Sequence, residues 1–238
     1  MLQACLNGPR TPREHHHLPV RPEELAAAAA ASVAAGATDL HLHPKTADGS
    51  DSLQASVVAA TLSAVRAAAP DVPVGITAGS WTAPEVRERI AAVRRWTVLP
   101  DHASVAWHEP GADELARALL DRGVGVEAEL RSGTEAAATF AASPLREQVL
   151  RTRVSITDTT PRATSTAAAL LPRIPTGAPI LLHGRGRGAW PTLVLALERG
   201  LHVRIGLEDT LQLPDGGIAG DNAELVSAAL AQRTGITF

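Results

Sequence analysis

Eight times along this chain a short apolar run is followed by a helical stretch, and no two apolar runs are adjacent without such a stretch between them. The apolar runs fall at Leu2–Asn7, then at a run ending in His41-Leu42-His43, then at Pro73–Thr77, His102–Glu109 and Gly125–Leu130. Three more follow at Val154–Asp158, Pro179–His183 and His202–Leu207. The intervening helices are predicted at Pro22–Ala35, Leu53–Ala69, Ala83–Trp96, Ala112–Arg122 and Thr134–Ala142. The remaining three are predicted near Ala163–Leu171, at Trp190–Arg199 and at Ala223–Gln232. The first helix carries its own punctuation, with Pro22 in a position the first turn tolerates, Glu23 and Glu24 beside it, and Gly36 beyond its end. Strict alternation implies parallel strands. Eight units in 238 residues imply a closed (β/α)8 barrel, one domain spanning residues 1–238, in preference to an open doubly wound sheet. An open sheet of that kind carries a glycine-rich fingerprint after its first strand, and Asn7-Gly8-Pro9-Arg10 is not one.

Composition narrows the functional classes. Hydrophobic residues make up 45%, much of it alanine, and the chain is long enough for a sizeable core. A formal charge of −3 favours neither nucleic acid nor an anionic membrane surface as partner. No run reaches the roughly 18 apolar residues of a membrane span, and no signal-peptide pattern opens the chain. Cys5 is the only cysteine, so it forms no internal disulfide and reads as a small buried hydrophobe. These features predict a cytoplasmic protein. His15, His16 and His17 lie in a polar, proline-rich stretch and read as part of a solvated loop.

A barrel of this kind places its chemistry at the carboxyl ends of the strands. Those ends hold Asn7, His41, His43, Thr77, Ser80, His108, Glu109, Glu127, Glu129, Thr157, Asp158, His183, Arg204, Glu208 and Asp209. Residues i and i+2 of a strand share a face, so His41 and His43 project together and supply half of a first-row metal site, zinc being the usual occupant. In a closed barrel the second and eighth strands flank the first, which lets Glu208 meet the two histidines above it. Two histidines and one carboxylate with an open position make a catalytic rather than structural metal set. Asp209 then reads as a general base, and Arg204 as the charge partner that keeps it ionised. The alternative for Glu208 and Asp209 is that they cap the turn that follows. The stretch His183-Gly184-Arg185-Gly186-Arg187-Gly188 can receive an anion, a phosphate or a carboxylate, or it can be a flexible solvated turn.

These motifs resemble the beta-keto acid cleavage enzyme family. The matching pieces are Asn7-Gly8, the lead Leu18–Glu24, His41-Leu42-His43, Ser104–Glu109, His183-Gly184 and Arg204–Asp209, spread over essentially the whole chain. The resemblance implies a zinc ion held at His41, His43 and Glu208, with an Arg204–Asp209 dyad acting as base. It implies a reaction in which a beta-keto acid and acetyl-CoA yield acetoacetate and a new acyl-CoA. Thr77, Ser80, His108, Glu129, His183, Gly184 and Arg185 are then expected to bind substrate, and a pocket carboxylate is expected from Glu127 or Glu129, which share a face, with Glu127 preferred. The alternative for one of the two is a structural ion-pair partner. By analogy with tetrameric relatives the chain is expected to be a homo-oligomer, tetramer or dimer. The loops after strands four to six are compact for the family, and Arg21 stands where a small polar residue is expected.

Two other classes remain open. A metal-dependent barrel hydrolase also uses two spaced histidines, although usually on its first strand and with further histidines on strands five and six; another carbon–carbon lyase or aldolase would share the same metal set. A barrel that binds a metal or small acid without catalysis is the third reading.

Overall fold

In a computed structural model, which describes residues 1–175 and 177–234, the eight units close on themselves as expected. The strands are β1 (Leu2–Cys5), β2 (Asp39–Leu42), β3 (Val74–Thr77), β4 (His102–Ala106), β5 (Gly125–Arg131), β6 (Arg151–Ile156), β7 (Ile180–Gly184) and β8 (His202–Ile205). They pair in sequence order into a closed, wholly parallel barrel, β8 returning to β1. The helices are α1 (Pro22–Ala34), α2 (Ala55–Ala68), α3 (Val86–Arg95), α4 (Ala112–Leu120), α5 (Ala136–Ala142), α6 (Ala163–Leu170), α7 (Ala189–Glu198) and α8 (Asn222–Thr234). None is long and apolar enough to cross a membrane.

The side-chain alternation of the strands explains the core. On β2, Leu40 and Leu42 face the helices, whereas Asp39 and His41 turn into the barrel; Val126, Ala128 and Leu130 play the outward part on β5 and Val154 and Ile156 on β6. The apolar core therefore lies between strands and helices. Branched aliphatic layers usually fill such a lumen; here it is filled by a polar lattice. Gln3 reaches from β1 across to Glu127 on β5 (3.2 Å), and Arg151 on β6 bridges Asp39 (2.9 Å) and Glu127 (2.6 Å). Arg153 spans Glu127 (3.0 Å) and Glu129 (2.9 Å). Arg151 and Arg153, with Arg131 at the end of β5, face three strand carboxylates, Asp39, Glu127 and Glu129, so this lattice is close to neutral. Gly75 makes room for one neighbour in this lattice: a Cβ there would lie 1.9 Å from Cε1 of His102.

Two expectations need correction. Strand six begins at Arg151 rather than Val154, because Arg151 and Arg153 point into the lumen and find carboxylates there. The expectation of a solvated loop at His15–His17 holds for His16 and His17 but not for His15, which is buried. Its Nε2 lies 2.8 Å from the carbonyl oxygen of Ala219, tying the β1–α1 loop to the β8–α8 loop. Cys5 is fully buried, and burial pushes its thiol up, so it is held protonated.

Candidate active site

Strand pairing brings the two histidines to Glu208. Cys5 of β1 is in register with His41 of β2, and Gln3 with Arg204 of β8, so the segments leaving β2 and β8 rise on either side of β1. His41 Nε2 lies 3.7 Å from Glu208 Oε2, and His43 Nε2 lies 3.8 Å from Glu208 Oε1. One ligand atom from each of the three lies within 4.8 Å of the others, the single such group of metal-ligating residues among those described. Two atoms each about 2.1 Å from one zinc-sized ion, at a tetrahedral angle, lie about 3.4 Å apart, so the three residues would draw together around such a cation. Glu208 Oε2 is buried without a hydrogen-bond partner, as a ligand oxygen would be.

His41 and Glu208 are in the right protonation state to ligate. Burial, reinforced by Arg204, Arg153 and His43, pushes His41 well below the usual imidazole range, so it is neutral. Burial opposes ionisation of Glu208, but Arg204 and His43 outweigh it and keep the carboxylate charged. His43 donates its Nδ1–H to Asp51 Oδ2 at 2.7 Å, which leaves Nε2 facing Glu208. Asp51 also receives Lys45 Nζ (2.5 Å) and Trp81 Nε1 (2.9 Å), and the Trp81 ring stacks on His43 at 5.8 Å. Gly8 is needed on the far side. Its φ is +60°, and a Cβ would fall 2.2 Å from Cγ of Glu208.

Beside the metal set stands a second cluster. Asp209 accepts Nε–H of Arg204 at 2.9 Å and Nδ1–H of His183 at 2.8 Å, while Arg204 Nη2 also reaches Glu208 Oε1 at 2.5 Å. Against the cost of burial, Arg204 and His183 hold Asp209 well below the carboxylate range. Burial in turn lowers His183, which is neutral. One arginine thus serves two carboxylates, and Arg185 is a second cation close to Glu208.

The other expected residues divide. Arg185 lies at the rim with Nη2 3.9 Å from Glu208 Oε1, and Gly184 ends β7 where a Cβ would meet the carbonyl of Gly188 at 2.3 Å. Thr77 is buried at the end of β3, and Ser80 is held by Glu109, which accepts both its N–H and its hydroxyl. His108 is half-buried beyond β4. Glu127 and Glu129 are both ion-pair partners, the alternative weighed for one of them. Glu127 is fully buried between Arg151 and Arg153, which places it in the lattice and not at the mouth. Burial would raise Glu129, but Arg153 and Arg131 bring it down to about 2. Reasoning from the chain missed Asp51, Arg151 and Arg153. The alternation Arg151-Thr152-Arg153-Val154-Ser155-Ile156 was a legible strand signal once a polar lumen is allowed; nothing in the chain marked Asp51.

Fold and site define a (β/α)8 protein with a two-histidine, one-carboxylate cluster at the carboxyl ends of its strands, backed by an arginine–aspartate pair. A profile of the beta-keto acid cleavage enzymes matches residues 1–235, and the chain belongs to that family. The family's reaction class is cleavage of carbon–carbon bonds in beta-keto acids. Among its relatives, a 3-keto-5-aminohexanoate cleavage enzyme of Acetoanaerobium sticklandii is 25% identical over 247 residues. One from Fusobacterium nucleatum subsp. nucleatum is 24% identical over 242 residues, and in both cases the match covers 95% of this chain and 88% of the relative. The structure of ObcA in a ternary complex with a C4-CoA adduct and oxalate superposes with a TM-score of 0.69 at 19% identity. That match covers 92% of this chain but only 64% of ObcA.

Proposed function

We propose that the protein is a zinc-dependent beta-keto acid cleavage enzyme that converts a beta-keto acid and acetyl-CoA to acetoacetate and a new acyl-CoA. The observation that carries this reading is the meeting of His41, His43 and Glu208 beside the Arg204–Asp209 pair, in a chain of this family. His41, His43 and Glu208 would hold the zinc, which when bound supplies a Lewis acid for the keto and carboxylate oxygens of the substrate. Asp209, which Arg204 keeps ionised, takes the proton from the carbon between those two groups, and His183 beside it binds substrate. Arg185, beside Glu208 and with its Nε buried without a partner, is placed to take a carboxylate or thioester oxygen. Thr77, Ser80 and His108, at or just beyond the ends of β3 and β4, would bind substrate. Glu127 acts through Arg153, as part of the field of the lumen, and Glu129 does so nearer the mouth. The CoA adduct named for ObcA supports a CoA thioester as the second substrate. The same reading expects a homo-oligomer.

The hydrolase reading is weaker on a specific observation: the lumen faces of β5 and β6 are occupied by Glu127, Glu129, Arg151 and Arg153, paired with one another and offering no further metal ligand. The deciding experiment is the metal content of the purified protein, run with a screen of beta-keto acids with and without acetyl-CoA. About one zinc per chain and CoA-dependent acetoacetate are expected, and His41→Ala or Glu208→Ala should lose both together. A wild-type protein that binds no zinc even on reconstitution overturns the site. Zinc without CoA-dependent turnover overturns the acyl transfer.

A further inference from the structure

The mouth of the lumen carries a second polar group, on the side away from His41, His43 and Glu208. Gln3 of β1 reaches Glu127 of β5 across the barrel, so the end of β5 stands opposite the strand above which those three residues meet. Arg131 ends β5 on the same face as Glu127 and Glu129, and its Nη2 donates to Glu129 Oε1 at 3.2 Å. Strand register sets Ser155 of β6 beside Arg131, and His183 of β7 beside Ser155. Ser155 shares the lumen face of Arg151 and Arg153, while Val154 and Ile156 enter the apolar core. His108, just beyond β4, completes the group. Burial and then Arg131 push its imidazole down, so it is neutral and close to that guanidinium.

Three polar atoms here are buried without a partner: Arg131 Nε, Ser155 Oγ and His108 Nδ1. Buried polar atoms are rarely left unpaired, and three from neighbouring strand ends call for a ligand. The donors define its chemistry. Of the arginines that balance the lattice, Arg131 is the one that reaches solvent, its side chain 28% exposed against 6% for Arg151 and 3% for Arg153. The carboxylates nearby are already engaged, Glu129 by Arg153 as well as Arg131, and Glu109 by Arg89 and Ser80. A guanidinium edge with a free Nε–H, beside a hydroxyl and an imidazole, matches a planar acceptor of single negative charge, which is a carboxylate.

We propose that Arg131, with Ser155 and His108, binds a second carboxylate, so that the substrate is a dicarboxylic beta-keto acid with its second acid group at the far end of the acyl chain. This rests on the beta-keto acid reading above and names the class of acid. The reacting end of such a substrate lies at His41, His43, Glu208 and the Arg204–Asp209 pair, and the chain crosses the lumen to Arg131. Arg131 touches only the non-reacting end, where it contributes to selection of the substrate. An uncharged chain in the same place leaves the three buried atoms unpaired, and that difference is the source of discrimination.

The test compares acids of equal length on the full chain as purified. 3-Oxoadipate is set against 3-oxohexanoate in the reaction with acetyl-CoA, read as kcat/KM. Hexanedioate is set against hexanoate in calorimetric titrations, which need no turnover. The wild-type protein is expected to favour the dicarboxylate by about 10–100-fold in both, the range of a hydrogen bond to a charged group. In Arg131→Gln that preference should shrink to within about threefold. Ser155→Ala removes one buried oxygen and should lower the preference by about 2–10-fold, which keeps the proposal open to test where Arg131→Gln fails to fold. Equal treatment of the two acids by the wild type in either comparison overturns the proposal, and the cleavage reading stands as long as some beta-keto acid is turned over. A preference undiminished in folded Arg131→Gln, or in Ser155→Ala where the first variant does not fold, also overturns it. A hexanedioate preference that depends on Arg131, in a protein that cleaves no beta-keto acid, overturns the cleavage reading alone and upholds the carboxylate site.

Discussion

Asp51 Oδ2 accepts the Nδ1–H of His43 at 2.7 Å, so a residue from the loop after β2 decides which nitrogen of His43 faces Glu208. A carboxylate behind a ligating imidazole both fixes the ring and raises its basicity. Asp51→Ala is therefore expected to weaken zinc binding by about 10–100-fold with the barrel intact. The measurement is a competitive zinc titration, for which the fluorescence of Trp81, stacked on His43, provides a local signal. Unchanged zinc affinity would remove Asp51 from the site.

Gly8 makes the same site sensitive from the other side. Alanine there places a Cβ 2.2 Å from Glu208 Cγ on a backbone of φ +60°. Gly8→Ala should displace the carboxylate and cost at least about tenfold in zinc affinity, the order expected when a ligand's support is lost. Circular dichroism should show an unaltered fold, and affinity equal to wild type would contradict the packing.

Asp209→Asn keeps the shape of the residue but loses the anion opposite Arg204 and His183. Zinc content should remain at the wild-type value, and turnover should fall by about 10²–10⁴, the range expected when a general base is lost. Steady-state kinetics beside metal analysis separates this outcome from simple loss of metal.

In the lumen, Arg151 holds Asp39 and Glu127 at once. Arg151→Met leaves both carboxylates buried without that partner, and breaking a buried pair by removing one member costs about 3–5 kcal/mol. Urea unfolding should show a midpoint lowered accordingly. A midpoint at the wild-type value would mean that the lattice is not rigid.

The same lattice makes the fold acid-sensitive. Glu129 titrates at about 2 in the folded protein against an ordinary 4.5, drawn down by Arg153 and Arg131 in spite of its burial. A depressed carboxylate stabilises the fold fully above its unfolded value, and the contribution, about 3 kcal/mol for such a shift, is lost as pH falls from 4.5 towards 2. Glu127 and Asp39 shift in the same direction and add to the trend. Unfolding free energies from urea titrations at pH 7, 4 and 3 should fall steadily; stability independent of pH over that range would exclude the ion pairs as a net source of stability.

Much of the architecture is legible along the chain, because period-two and helical runs report local geometry directly. Eight alternating units allow a closed parallel barrel, and that closure alone brings His41, His43 and Glu208 together from positions more than 160 residues apart. Arg204 and Asp209, five residues apart, meet as expected through the turn after β8. What the chain could not reveal is what lies across the lumen. Whether Glu127 faces substrate or an arginine depends on Arg151 and Arg153 arriving from β6 in register with it, and how Asp209 is held depends on a 2.8 Å contact with His183 of β7. Local sequence sets which side of a strand a charge occupies; the partner that neutralises it, and so its pKa and its chemistry, is chosen only when the barrel closes.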